Sequence, residues 1–221
     1  DYDKSLEIYN QWSTKPNADP ILYTYKACCL YALCRYKEAY AEAEKGPKDD
    51  ELSNRIRFHC AFKLRIGVAV IDYHSKLTKS IPDQLCLAAH QYLKGEYEEA
   101  IQIYKKIYMD KKYDALNIYL AMCYYKLEFY DIALDLVNHY LANYKSSVIA
   151  QNLKAAIEYN STGNYRSAQN LILSLQELSK AGNVVENDDL LKHNMTVFDS
   201  DETTGSHNKL KVFNSLVDIV P

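Results

Sequence analysis

Six histidines and six cysteines are the residues best able to hold a metal or a nucleophile: His59, His74, His90, His139, His193 and His207, with Cys28, Cys29, Cys34, Cys60, Cys86 and Cys123. A zinc site needs ligands at short, repeated spacings, such as paired C-x-x-C or H-E-x-x-H, and neither occurs. Cys28 and Cys29 are adjacent, so on a helix they point roughly 100° apart and cannot close on one ion. Phosphate-cradling loops and nucleophile elbows need glycines at fixed offsets; the chain has only 6 glycines and none of the motifs. A Cys/His pair brought together by folding is not excluded by spacing, but no pair is singled out. The carboxylates Asp49, Asp50 and Glu51 read as a solvated joint and helix-start charges. No catalytic residue, metal ligand or cofactor is expected.

Aromatic residues are the other chemistry-bearing set. CYYKLEFYDIAL (123–134) holds four rings, and tyrosine accounts for 21 of 221 residues. A base-stacking surface would interleave its rings with Lys and Arg, whereas the formal net charge here is −3. Nucleic acid is therefore not expected as a partner, nor is a small-molecule substrate. Tyr36, Tyr97, Tyr124, Tyr130 and Tyr165 read as packing residues, and Cys123 as a small buried filler. The cysteines fit reduced, buried thiols of a cytosolic protein better than a disulfide framework. No apolar run approaches the roughly 18 residues that would span a bilayer, so membrane insertion is not expected.

What must position these residues is a repeat. CRYKEAYAEAEK (34–45), GEYEEAIQIYKK (95–106), EFYDIALDLVNH (128–139) and GNYRSAQNLILS (163–174) align without gaps, each with an aromatic third and an alanine sixth. Those alanines are Ala39, Ala100, Ala133 and Ala168, the last three spaced by 33 and 35 residues. Twelve residues upstream of each stands another alanine: Ala27, Ala88, Ala121 and Ala156. Two helices per unit follow, with the small residues letting them cross closely. Gly95 and Gly163 occupy the turn, where a left-handed residue ends the first helix; Cys34 and Glu128 hold that place in the other two.

A helix–turn–helix of this period resembles the tetratricopeptide repeat. The fold expected is all-α, a right-handed superhelical solenoid in which neighbouring units bury each other's apolar faces. Units fall at 20–52, 81–113, 114–148 and 149–182, with half a unit at 1–19 whose Ser5 stands 34 residues before Ala39. The stretch 53–80 is apolar and helical but lacks the alanine and the turn, and reads as a degenerate unit. A further helix is expected over 183–199, a polar loop over 200–209, and the start of another helical segment over 210–221. The sequence opens inside a repeat and without Met, as a piece of a longer protein would.

In tetratricopeptide proteins the first helix of each unit lines the inner face. Carried onto this chain, that face consists of Thr24, Cys28, Tyr31, Leu85, Ala89, Tyr92, Ile118, Met122, Tyr125, Leu153, Ile157 and Asn160. It is mostly apolar and lacks the Lys, Asn and Arg clamp that holds acidic C-termini in peptide-binding relatives. An amphipathic helix or extended apolar segment suits it, unless the superhelix closes on itself.

QYLKGEYEEAIQIYKKI and DALNIYLAMCYYKLEFYDIALDLV, followed in order by VIAQNLKAAI, KHNMTVF and SLVDIVP, resemble the fifty-six kilodalton tetratricopeptide subunit family of intraflagellar transport complex B. The likeness covers roughly residues 20–221, and KHNMTVF and SLVDIVP are not repeat-consensus residues. It implies a non-catalytic scaffold subunit in the cilium or flagellum, the basal-body region and the cytoplasm. Its partners would be other complex B subunits and ciliary, motility-related cargo, in support of cilium assembly or motility. The alternative is a tetratricopeptide scaffold of another large cytosolic assembly.

Overall fold

The computed structural model describes residues 2–110 and 113–162, together with Asn170. Ten α-helices and no strand occur among these residues: α1 (Tyr2–Ser13), α2 (Ile21–Ala32), α3 (Tyr36–Ala43), α4 (Glu51–Lys63), α5 (Gly67–Ser75), α6 (Ile81–Lys94), α7 (Tyr97–Asp110), α8 (Ala115–Lys126), α9 (Tyr130–Asn143) and α10 (Val148–Thr162). The chain forms two compact units, Asp1–Lys94 and Gly95–Pro221. Expectations for 163–182, 183–199, 200–209 and 210–221 fall outside the described residues, Asn170 aside.

The repeat alanines fix the helix pairs as their size suggests. Ala27, Ala39, Ala88, Ala100, Ala121 and Ala133 are all fully buried. In the first unit α2 packs on α3 and α4, and one core joins Leu6, Ala27, Leu30, Ala39, Ala43, Ile56 and Cys60. In the second, α8 packs on α9 and α9 on α10, around Ile118, Ala121, Ala133, Val137, Ala150 and Ile157. In α10 the register differs from expectation: Ala155 is fully buried and Ala156 half-buried.

Turns between paired helices share one backbone device. Cys34, Arg65 and Glu128 have φ of 59°, 57° and 64°, and Gly95 has 87°. In the three non-glycine cases the left-handed residue donates its N–H to the carbonyl three residues back: Cys34 to Tyr31, Arg65 to Phe62, Glu128 to Tyr125. The next residue donates five back: Arg35 to Leu30, Ile66 to Ala61, Phe129 to Tyr124. Both bonds together make the Schellman ending, which satisfies carbonyls the helix leaves open. Only glycine reaches this conformation without a Cβ penalty, so three turns carry strain of about 1 kcal/mol each.

The degenerate stretch is therefore corrected in one respect. It does have the turn, at Arg65, and folds as α4 and α5. The alanine is indeed replaced: counting from the turn, Val70 stands at the place of Ala39, and Phe58 at the place of Ala27. Helix α4 begins on Asp50, whose side chain accepts from the Ser53 N–H at 2.7 Å, an N-cap worth about 1 kcal/mol.

The joint between α3 and α4 is held by buried polar groups. The Thr24 and Ser53 hydroxyls lie 2.6 Å apart, and the Ser53 hydroxyl donates to Asp50 at 2.9 Å. A Cβ at Gly46 would run into the Thr24 hydroxyl, so only glycine fits there. Arg57, 3% exposed, sends its guanidinium under the loop to the carbonyls of Ala43, Gly46 and Pro47 at 3.0, 2.8 and 3.0 Å.

Candidate protein-binding face

First helices stand side by side in each unit: α2 on α4 and α4 on α6 in one, α8 on α10 in the other. Six of the twelve expected face residues belong to each unit. Thr24 is fully buried and bonded to Ser53, so it supports the face from beneath. Ile118 and Ile157 are likewise buried, packed in the second unit's core. Cys28, Tyr31, Leu85, Ala89, Tyr92, Met122, Tyr125 and Leu153 are half-buried, and Asn160 is exposed.

Two local constellations emerge. In the second unit the Asn160 amide donates to the Tyr125 hydroxyl at 2.7 Å, and the Tyr125 ring meets Tyr130 at 5.9 Å. Burial, with Tyr130 adding to it, pushes the Tyr125 phenol above its ordinary range. In the first unit Tyr31 contacts Tyr36 at 5.1 Å and His59 at 5.9 Å. The repeated Tyr31/Tyr36 and Tyr125/Tyr130 pairs tie each first helix to its second and fix the ring nearer the face. Burial pushes the Tyr31 phenol up to about 12.

Sequence reasoning missed α4's contribution. With Val70 as the key position, the equivalents of Cys28 and Tyr31 are His59 and Phe62, and that of Thr24 is Arg55. The 61 residues between Ala39 and Ala100, halved, would have placed them. Arg55 is paired: its guanidinium donates to Asp83 at 2.6 Å and to Glu51 at 3.4 Å. Burial alone would raise the Asp83 carboxyl, but the Thr78 N–H and hydroxyl and Arg55 outweigh it and hold the group low. The face thus carries a satisfied ion pair in place of a free charge.

His59 Nε2 lies 3.1 Å from Cys86 Sγ, a separation at which a cysteine–histidine dyad could work. Its electrostatics run the other way. Burial pushes the Cys86 thiol up to about 12, with Asp83 adding to it. Burial also drives the His59 imidazole down to about 4, helped by His90, Lys63 and Arg55. An activated dyad needs a stabilised thiolate and imidazolium; here the proton stays on sulfur and both groups are neutral. No cluster of three or more potential metal ligands occurs among the described residues, and no described helix is long and apolar enough to cross a membrane.

The neutral imidazole sets a pH dependence. Its pKa is depressed on folding from an ordinary 6.5, so its contribution is complete above that value. The contribution is lost as pH falls towards 4, because the unfolded chain takes up the proton first. Between pH 7 and 4.5 the chain is expected to lose about 2 kcal/mol that a His59→Phe variant keeps. Urea midpoints measured for both across that range check this, and parallel profiles would refute it.

Comparison with known proteins places this geometry. A tetratricopeptide repeat protein from Parabacteroides merdae superposes with a TM-score of 0.73 at 12% identity, over 89% of this chain and 77% of that one. The anaphase-promoting complex hetero-tetramer Cut9–Hcn1 gives 0.63 at 15%, over 89% of this chain and 39% of that one. These likenesses show the fold, a tetratricopeptide-type solenoid. The Intraflagellar transport protein 56 homolog of Caenorhabditis elegans is 28% identical in an alignment that covers all of this chain and 40% of the relative's length. The family model of Intraflagellar transport protein 56 matches residues 1–221. With its full length matched to that model, the chain belongs to the Intraflagellar transport protein 56 family.

Proposed function

We propose that the chain is a non-catalytic adaptor segment of an intraflagellar transport complex B subunit. The first-helix face of each unit holds another transport subunit or ciliary cargo, in support of cilium assembly or motility. It acts in the cilium, the basal-body region and the cytoplasm. The observation that carries this reading is one aromatic at the same position of four first helices: Tyr31, Phe62, Tyr92 and Tyr125, all half-buried. Rings held by neighbouring side chains, as Tyr31 by Tyr36, Phe62 by His90 and Tyr125 by Tyr130, lose little entropy on binding and present a large contact area, as interface anchors do.

The test is reconstitution of the tagged chain with purified complex B subunits, paired with affinity purification from ciliated cells at moderate salt. Tyr31→Ala with Tyr125→Ala is expected to weaken capture of transport subunits by more than about tenfold. A thermal melt of the double variant shows whether it remains folded. Undiminished capture by a folded variant would move the binding surface elsewhere. Recovery of no transport subunit by the unaltered chain would remove the transport reading itself.

A further inference from the structure

The second helices α1, α3, α5, α7 and α9 start in one register, three residues before Ser5, Ala39, Val70, Ala100 and Ala133. Their surfaces can be compared position by position. One residue past the key position, Leu6 and Ile101 are buried, and Tyr40 and Leu134 are half-buried. Each belongs to a helix that packs on the next first helix: α1 on α2, α3 on α4, α7 on α8, α9 on α10. In α5 this position is Ile71, which is 74% exposed. Helix α5 packs on α4 and has no comparable seat on α6.

Two residues before the key position, the other second helices carry exposed charges: Asp3, Lys37, Glu98 and Asp131. Helix α5 carries Val68, 84% exposed, with Ile66 exposed two residues earlier, in the turn. A Cβ built on Gly67 meets nothing within 4 Å, so the space beside these side chains is open. Apolar residues of this size at solvent positions on one short helix mark an interaction patch.

The segment that carries it has a surplus of cations, offset in part by Glu44 at the end of α3, which accepts from the Tyr73 hydroxyl at 2.6 Å. Residues 63–79 include Lys63, Arg65, Lys76 and Lys79 against the single carboxylate of Asp72, in a chain of formal net charge −3. Asp72 accepts from Lys76 at 2.7 Å, which leaves the surplus positive. Lys63, Arg65 and Lys79 are all exposed.

We propose that the Val68–Ile71 face of α5, with Ile66 at the turn before it, docks an acidic amphipathic helix of a partner protein. The partner's apolar stripe covers Val68 and Ile71, and its flanking Asp and Glu residues meet the cationic rim. This surface is separate from the first-helix face and binds a different segment. A bilayer is a poorer match, because two exposed apolar side chains on a nine-residue helix give little area for insertion.

The probes are two synthetic helices of roughly 18 residues, about five turns, sharing one leucine stripe and flanked by glutamate or by lysine. Fluorescence anisotropy with the full chain is expected to favour the glutamate helix by about tenfold or more. Val68→Ser with Ile71→Ser should reduce that binding by about tenfold, since both side chains lose their apolar burial. Arg65→Glu with Lys79→Glu should reverse the preference, while Tyr31→Ala should change neither affinity. The changes at Val68, Ile71, Arg65 and Lys79, all exposed, are expected to leave the thermal melt in place. Equal affinity for the two helices, or binding indifferent to the serine pair, would overturn the proposal. So would self-association that the serine pair abolishes, which would make a second copy the occupant. Serine-sensitive binding confined to phosphatidylserine vesicles would likewise overturn it, in favour of a membrane.

Discussion

Arg57→Ala is expected to destabilise the first unit by about 3–5 kcal/mol, the range for removing one partner of a buried charged network. The guanidinium is 3% exposed and reaches three carbonyls at 2.8–3.0 Å, those of Ala43, Gly46 and Pro47. Ala43 is the last residue of α3, so the cation also sits where the helix dipole is most negative. Alanine would strand carbonyls that water cannot reach through Gly46, itself buried beneath Thr24. Glu44 lies 3.7 Å from Arg57 Nε but is exposed and adds little. Arg57→Lys keeps charge and length yet cannot fork to three acceptors, so it should recover less than half of the loss. Urea midpoints measure the cost, and hydrogen exchange locates it: protection should fall in α3 and α4 and hold in α9. A midpoint for Arg57→Ala within about 0.5 kcal/mol of the unaltered chain would show that the loop has another support.

How much of this was legible depended on whether one residue type has to do the job. Where helices cross at closest approach only small side chains fit, so Ala27, Ala39, Ala88, Ala100, Ala121 and Ala133 announced the pairs. Turns were legible at Gly95 but hidden at Arg65, because a left-handed residue closed by two backbone bonds tolerates a side chain at modest cost. Without a glycine at the turn and with Phe58 and Val70 at the alanine places, the second repeat read only as a degenerate unit, and Arg55, His59 and Phe62 went unread with it. Face residues were legible only to the level of helix phase. The resemblance to tetratricopeptide repeats put Thr24, Ile118 and Ile157 on the inner side, but a repeat position cannot tell a residue at the surface from one a layer below. Arg57 illustrates the converse: its charge suggests solvent, and only the folded loop shows that its hydrogen-bond acceptors are inside.

Phe58→Ala is the second large effect, and its size decides how the degenerate repeat is built. Phe58 is fully buried at the place where the other repeats carry alanine. It packs with Ala61, Tyr73 and Cys86, from α4, α5 and α6, and its ring meets His90 at 4.8 Å and His74 at 6.1 Å. Two geometries are available to the variant. If α4 and α5 stay where the ring holds them, the vacated space remains and the cost is about 3–5 kcal/mol. If they close to the spacing that the alanine pairs adopt, the cavity vanishes and the cost falls below about 2 kcal/mol. The rigid outcome is expected, because Tyr73 is anchored through its hydroxyl to Glu44 at 2.6 Å and Ala61 accepts the Ile66 N–H at the turn. Phe58→Leu, which keeps most of the volume, should then cost less than about 1.5 kcal/mol. A fluorophore on cysteine at position 71 reads the same choice, since closure would bring it towards α6 while the rigid frame leaves it solvated. A small cost together with a newly shielded position 71 would show that the phenyl ring alone keeps α5 from packing like the other second helices.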